Sequence, residues 1–410
     1  MSKHLSTEPY KGTRDFYPED MAIQRYIFDT WAATAELFGF EAYNASIFEP
    51  SELYKSKGAE NEEMVNEQTY TFTDRGNREV TLRPEITPTV ARMVAAKRRE
   101  LTFPIRWYSI PNLYRYERPQ RGRLREFWQL NCDMFGATHY TSDVEIIALA
   151  YNMLTAFGAT PDMFEIRINN RAWINEILTQ EGLDETQSKA MISLLDRKEK
   201  IDNFVAEAKK IAGKHINFNI EPEKGSDLYN VVQGLHDLGI KNVKVSPSIV
   251  RGFNYYTGTV FEVFDTSEEN TRAIMGGGRF DNLTELFGGE PISGIGFGIG
   301  DVVMRDFLET HDLLTSNITA PTLVIIPAEE NNNMKAQVLA QTFRRNGIST
   351  AVDMGTKKIG KKLVSAVESF VSYALILGDD EIKSKTYTLK NLTDETEHTG
   401  TLEDILTIFA

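Results

Sequence analysis

Five arginines, Arg115, Arg118, Arg121, Arg123 and Arg125, fall within eleven residues of the stretch Leu113–Gly136, interrupted by Pro119 and Gly122 and flanked by alternating apolar positions. Planar guanidinium forks match phosphate oxygens, so such a cluster suits a polyphosphate or a nucleic-acid backbone. The pattern predicts strand, turn and strand, with Asn112, Tyr114 and Tyr116 sharing one face with Phe127, Gln129, Asn131 and Asp133. Charged groups rarely enter a sheet face without a ligand or a partner, which separates Arg115, Glu117, Gln129 and Asp133 from an ordinary solvated loop.

Other stretches carry comparable chemistry. In Arg83-Pro84-Glu85-Ile86-Thr87-Pro88, Thr87 reads as a helix N-cap with Pro88 at the first helical position, which leaves Glu85 unexplained. A carboxylate and a hydroxyl at a strand end suit an ammonium group. Farther along, Arg251, Gly252 and the adjacent Tyr255 and Tyr256 stand immediately before a strand and read as a pocket rim. Two glycine runs follow, Gly276-Gly277-Gly278 and Gly294 to Gly300 at alternate positions. Glycine-rich turns before helices can cradle phosphates, although tight packing needs glycine too.

These groups must be positioned by a sizeable scaffold. Apolar spacing predicts helices over Met21–Phe38, Thr89–Arg98 and Ser142–Phe157, and strands over Gln68–Asp74, Glu79–Leu82, Phe164–Ile168 and Val243–Val250. From Trp173 to about Leu238 the pattern is helical and strongly charged. A linker is expected at Ser316–Pro321. Beyond it, strands and helices alternate, which predicts a compact α/β domain with a mostly parallel sheet. There Lys357, Lys358, Lys361 and Lys362 form a candidate phosphate-contact patch.

The 410 residues are 41% hydrophobic and 25% charged, enough for a large globular domain plus a smaller one. A net charge of -14 excludes a generic polyanion binder, so any RNA must be met by local basic patches. The single cysteine, Cys132, excludes an internal disulfide and a multi-cysteine zinc site. With no apolar signal core and no bilayer-length run, the expectation is a soluble, cytoplasmic protein without a membrane partner.

The hairpin resembles motif 2 of the class II aminoacyl-tRNA synthetases, and ERPQRGRLREFWQ resembles the histidyl-tRNA synthetase version of it. RGFNYYTGTVFE is similar to the histidine-specific motif of that family, with Asn254 where aspartate is usual; GTRDF resembles the family's opening, and the second glycine run resembles motif 3. Two further departures stand out. Ser46 replaces a proline of motif 1, and Val303 occupies the position of the motif 3 arginine, with Asp301 and Arg305 nearby.

The resemblance implies an α+β class II synthetase catalytic domain, an antiparallel sheet flanked by helices, with a small helical insertion and a C-terminal α/β anticodon-binding domain. Its expected divisions are a first catalytic part at 1–170, the insertion at 171–238, a second catalytic part at 239–315 and the anticodon-binding domain at 321–410. The implied activity is histidine–tRNA ligase, an ATP-dependent aminoacyl-tRNA ligase forming AMP and pyrophosphate. ATP, L-histidine and tRNA(His) would be its partners, Mg²⁺ would accompany ATP, and the protein would be a homodimer. By motif position, Arg115 and Arg251 are implied as catalytic residues at the α-phosphate, and Glu117 as the adenine-edge contact. Glu85, Thr87 and Gln129 would bind the α-ammonium, and Asp133 and Tyr256 the imidazole, with Tyr255 lining the pocket. Arg118, Gln120, Arg121, Arg123 and Arg125 would meet the tRNA acceptor end; no protein metal ligands are implied. The alternative is a histidine-binding synthetase paralogue that regulates histidine biosynthesis without charging tRNA.

Overall fold

A computed structural model describes residues 4–55, 67–198, 201–218, 221–250, 255–270, 272–315 and 320–409. The chain forms two compact units, Met1–Thr315 and Ser316–Ala410. In the first unit the strands are β1 (Glu41–Ala42), β2 (Phe48–Pro50), β3 (Tyr70–Thr73), β4 (Glu79–Leu82), β5 (Ile105–Ser109) and β6 (Asn112–Tyr114). They continue as β7 (Glu126–Phe135), β8 (Phe164–Asn170), β9 (Val243–Val245), β10 (Thr259–Asp265), β11 (Ala273–Arg279) and β12 (Gly294–Gly300).

Nine of these strands make one sheet in the order β1-β5-β7-β12-β11-β10-β8-β9, with β6 paired to β7; β2, β4 and β3 form a smaller sheet. The interior pairings are antiparallel, and only the edge pairs β1–β5 and β8–β9 run parallel. One face buries Leu130, Cys132 and Met134 of β7, Ile295, Phe297 and Ile299 of β12, and Phe261 and Val263 of β10. The helices Pro18–Leu37 and Thr141–Thr155 supply Ile27, Trp31, Ile147 and Leu149 to the same core. The alternation that fills this face hands the residues between them to the opposite face.

That opposite face is nearly bare at its centre. Gly296 pairs with Asp133 and Gly298 with Asn131 across β7–β12, while Gly276 pairs with Gly298 and Gly278 with Gly296 across β11–β12. The glycine runs are therefore strand interiors, which decides between the two uses of glycine left open by the sequence in favour of close packing, and the second run leads into a helix as the motif 3 resemblance implied. Gly277 faces the other way, and a Cβ there would collide with the Gly296 carbonyl oxygen and the Phe297 backbone.

Some sequence expectations shift. Val243–Val250 is a strand only as far as Val245, because Pro247 has no N–H for a ladder and the chain turns at Ser246. Thr87 is the first residue of the helix Thr87–Lys97, whose cap position is Ile86, so it does not act as an N-cap. Within the charged helical region, Ile174, Leu178, Met191, Leu194 and Phe218 close a separate core. Leu228, Val231 and Leu235 of the helix Asp227–Asp237 join the main core instead.

The second unit contains β13 (Leu323–Pro327), β14 (Thr350–Val352), β15 (Tyr373–Leu377), β16 (Tyr387–Asn391) and β17 (Glu397–Gly400), in the order β14-β13-β15-β16-β17. Two pairings are parallel and two antiparallel, so the sheet is half parallel where a mostly parallel one was expected, because β16 and β17 form a hairpin added to the edge at β15. Lys357, Lys358 and Lys361 are exposed, but Lys362 is buried and its Nζ donates to the Asp353 carbonyl at 2.9 Å. Lys362 thus leaves the expected phosphate patch. The expected linker falls largely on residues 316–319, outside the described residues.

Gly277→Ala should lower the unfolding free energy by about 2 kcal/mol or more, since backbone on a neighbouring strand must move to admit the methyl group. Urea denaturation followed by circular dichroism measures this, and an unchanged midpoint would show that the two strands can separate freely.

Candidate active site

The bare strand face opens into a cavity of about 910 Å³ whose lining includes Arg115, Glu117, Arg123, Gln129, Gly276, Gly298 and Gly300. The basic hairpin forms one wall. Its strands pair Asn112 with Trp128, Leu113 with Phe127 and Tyr114 with Glu126, and Arg115 N–H donates to the Arg125 carbonyl at 2.9 Å. This register is one residue from the one expected, and a one-residue slip exchanges faces. Asn112 and Tyr114 lie with Glu126 and Trp128, where Asn112 donates to the Tyr114 hydroxyl and that hydroxyl donates to Glu126, both at 2.8 Å. Arg115 takes the cavity face with Phe127 and Gln129, its guanidinium 5.3 Å from the Phe127 ring centroid.

Arg115 Nε donates to the Pro84 carbonyl at 2.9 Å, and among the described residues the terminal nitrogens take no further hydrogen bond. Burial pulls this guanidinium below its ordinary value, while Glu85 and Glu117 act in the opposite direction. One peptide, Pro84–Glu85, therefore carries both the anchor of the cation and the neighbouring carboxylate. Glu85 in turn accepts from the Tyr255 hydroxyl at 3.2 Å, and Tyr255 lies against Tyr256 with ring centroids 4.8 Å apart. Thr257 holds that segment in place: its N–H donates to the Arg279 carbonyl at 2.8 Å, and the Arg279 guanidinium pairs with Asp143 at 2.6 Å.

Asp133 completes the cluster from β7. Its side chain is 1% exposed, and Oδ2 has no hydrogen-bond partner among the described residues. Burial, reinforced by the Glu85 carboxylate, pushes it up to about 8. A Cβ at Gly296 would collide with Oδ1 of this carboxyl, one at Gly298 with Gln129 Nε2, and one at Gly278 would come within 2.9 Å of the Tyr256 ring. Asp133, Gln129 and Tyr256 thus lie against the sheet only because these positions lack side chains. Glu85, Thr87, Asp133, Tyr255 and Tyr256 are all buried and are not among the residues that line the open cavity.

The hairpin tip is less uniform than its composition implies. Arg118, Gln120, Arg121 and Arg123 are exposed. Arg123 pairs with Glu117 at 3.0 Å, and Arg121 lies 3.8 Å from Asp306. Arg125 is turned inward, 3.9 Å from the Tyr116 ring centroid and bonded to the Tyr10 hydroxyl at 3.0 Å, with its N–H on the Gly12 carbonyl. Arg251 and Asn254 lie outside the described residues.

The family model of histidyl-tRNA synthetase matches residues 12–220 and 222–300, and that of the anticodon binding domain matches residues 322–410. The chain belongs to the histidyl-tRNA synthetase family. It is 41% identical to a histidine–tRNA ligase of Leptospira biflexa, across 98% of this chain and 97% of that protein, and 35% identical to one of Thermoplasma volcanium, across 98% of each. Its fold is similar to a crystal structure of histidyl-tRNA synthetase from Nostoc sp. PCC 7120, with TM-score 0.78, 23% identity and coverage of 98% of this chain and 99% of that one.

The departure at motif 3 has a definite local structure. Asp301 starts the helix Asp301–Thr310, and its carboxylate accepts from Arg14 at 2.6 Å and from the Trp128 N–H at 2.9 Å. The GTRDF segment is thereby clasped to β7 and motif 3 together. Val302 and Val303 line the cavity. Arg305, expected as a possible substitute for the missing arginine, instead pairs with Asp20 at 3.0 Å and Glu309 at 2.8 Å and does not line the cavity. Sequence reasoning also missed Glu262 and Arg272, both of which line it. Arg272 sits in no stretch with a recognisable motif, while Glu262 ends the RGFNYYTGTVFE stretch but was given no role. The signal for Glu262 was its alternate position in β10, two residues from Val260 on the glycine face.

With its carboxyl raised to about 8 against about 4 for an unfolded aspartate, Asp133 makes a contribution to stability that falls as pH rises from about 4 to about 8 and changes no further above that. Asp133→Asn keeps the shape without the ionisation. At pH 8 it should unfold at a higher urea concentration than the wild type, with the gap closing toward pH 4; a gap independent of pH would mean that this carboxyl is ionised in the fold throughout.

Proposed function

We propose that the chain activates histidine with ATP and transfers it to tRNA(His). The observation that carries this reading is the single peptide Pro84–Glu85, which ties the cavity guanidinium of Arg115 to the carboxylate beside Tyr255. A phosphate site and an ammonium site at fixed spacing are what joining an amino acid to a nucleotide requires.

In the first step a histidine carboxylate oxygen attacks the α-phosphorus, the bond to the bridging oxygen of the β-phosphate breaks, and pyrophosphate leaves with the electron pair. Arg115 and Arg251 hold the α-phosphate and neutralise charge as it develops. Glu117 meets the adenine edge, which requires it to give up its pairing with Arg123. Glu85, Thr87 and Gln129 bind the α-ammonium. Asp133 and Tyr256 bind the imidazole nitrogens, and Tyr255 lines the pocket; a site committed to both nitrogens rejects apolar side chains strongly. In the second step the terminal ribose hydroxyl of tRNA attacks the adenylate carbonyl carbon, and AMP leaves. Arg118, Gln120, Arg121 and Arg123 contact the acceptor end, while Arg125, held by Tyr10 and Tyr116, keeps the hairpin in shape.

Carboxylates lining the cavity, Glu117 and Glu262, are hard oxygen donors of the kind that binds Mg²⁺ alongside substrate phosphates. Glu262 would hold the ion, which when bound neutralises charge on the β- and γ-phosphates. Among the described residues no group of three or more His, Cys, Asp or Glu could hold a metal, so phosphate oxygens must supply part of its shell. The helical segment within 171–238 covers the acceptor arm, and the unit beyond residue 320 binds the anticodon arm, with Lys357, Lys358 and Lys361 as phosphate contacts. The protein works in the cytoplasm; among the described residues no helix is long and apolar enough to cross a membrane. It acts as a homodimer, supported by the half-exposed Phe48 and Phe72, packed edge to face at 5.9 Å on the three-stranded sheet. Phe48→Asp should shift sedimentation from dimer to monomer, and a monomeric wild type would remove this part of the proposal.

Pyrophosphate exchange into ATP should occur with histidine and with no other amino acid. Histidine binding without exchange would fit the regulatory paralogue instead. Arg251→Ala should reduce exchange by about 100-fold or more while histidine affinity stays within about 3-fold. Equal loss of both would assign Arg251 to ground-state binding.

A further inference from the structure

Among the described residues, the arginines around the cavity are nearly all committed. Arg115 is anchored on Pro84, Arg123 pairs with Glu117, Arg121 lies beside Asp306, and Arg305 is held by Asp20 and Glu309. Arg272 is different. It lines the cavity, is only partly exposed, and has no hydrogen bond or ion pair to any described residue. Burial and the nearby Arg123 both weaken its hold on its proton, with Glu117 acting in the opposite sense. A cation kept near another cation, without a partner of its own, is poised for an anion.

Its location bears on the valine that replaces an arginine in motif 3. Met275 of β11 pairs with Ile299 of β12. Arg272 immediately precedes β11 and the helix Asp301–Thr310 immediately follows β12, so the two lie at the same end of this antiparallel pair. The hairpin tip closes over both: the point where a Gly122 Cβ would stand is 3.4 Å from Arg272 Cδ and 3.6 Å from Val303 Cγ2. Arg272, Val303 and the tip therefore share one corner of the cavity. The two valines contribute no charge there; Arg272 contributes a positive one, and Asp306, whose Oδ2 is 3.8 Å from the same point, a negative one.

We propose that Arg272 binds the β- and γ-phosphates of ATP, supplying from β11 the guanidinium that Val303 does not supply from the helix. This rests on reading the cavity as the ATP site. The pyrophosphate end is favoured over an RNA phosphate because Arg272 lines the cavity with Arg115, whereas Arg118 and Arg121 at the hairpin tip do not line it and Arg123, which does, is paired with Glu117.

Equilibrium binding of ATP and of AMP to the full chain tests it. Arg272→Ala should weaken ATP by about 10- to 100-fold and AMP by less than about 2-fold, because AMP has neither outer phosphate. In pyrophosphate exchange the KM for ATP and for pyrophosphate should rise while the KM for histidine holds. Arg272→Ala combined with Val303→Arg should recover at least about tenfold in ATP affinity, which a merely structural role for Arg272 would not allow. Should Arg272→Ala unfold, Arg272→Gln keeps the volume of the side chain, and the same ATP and AMP comparison applies. Unchanged ATP affinity, equal weakening of ATP and AMP, or a defect confined to transfer onto tRNA would overturn the assignment. A wild type that binds ATP but shows no histidine-dependent exchange would sink the ligase reading alone, since the ATP and AMP comparison would still decide the role of Arg272.

Discussion

The site depends on two adjacent strands having one face without side chains. A strand alternates with a period of two, so β11 and β12 can fill the core with Met275, Ile295, Phe297 and Ile299 while Gly276, Gly278, Gly296 and Gly298 leave the reverse face empty. Glycine is a weak strand former with no surface to bury. The sheet tolerates it because packing of the other face against two long helices holds the strands in place. Removing the Cβ atoms lets Asp133, Gln129 and Tyr256 approach backbone more closely than any other residue at those positions would permit. What would have been a second core becomes a floor on which polar groups can lie.

Polar groups on such a floor carry an electrostatic consequence. Asp133 is buried with one oxygen lacking a partner, and Glu85 stands close enough to resist its ionisation. Arg115 lies within the field of Glu85 and is itself drawn out of water. Arg115 feels the carboxylates of Glu85 and Glu117 while its hydrogen bond goes to a backbone carbonyl. A ligand that brings an ammonium and an imidazole adds positive charge and donors beside these carboxyls, so binding and stabilisation of the site are one event.

Much of this was readable from the chain, and the misreadings have local causes. The hairpin was legible because its turn residues and flanking periodicity agree. Its register was not, because Tyr114 and Arg115 are both plausible on a polar face and only the pairing of Leu113 with Phe127 decides between them. The role of the glycine runs stayed open, since a single sequence does not distinguish a glycine needed for a bend from one needed for an empty strand face. Lys362 looked like its exposed neighbours, yet helical geometry turns it back onto Asp353. Arg272 carried no local signal at all; its position becomes meaningful only through the register between β11 and β12, which is a long-range property.

That last point bears on how a motif can lose a residue and keep its chemistry. A phosphate is recognised by where guanidinium nitrogens lie, and an arginine side chain is long enough that several backbone positions can deliver them to one corner. With Val302 and Val303 at the helix start, the hairpin tip and Arg272 can meet there without a cation from the helix competing for the same space. Asp301, meanwhile, binds Arg14 and the Trp128 N–H, so the first turn of the helix fastens the N-terminal segment to β7. The two changes fit together physically: the helix start serves as a structural clasp, and the neighbouring strand end holds the free charge. An arginine added at Val303 while Arg272 remained would set two guanidinium groups against one another in a partly buried corner, which favours having one or the other.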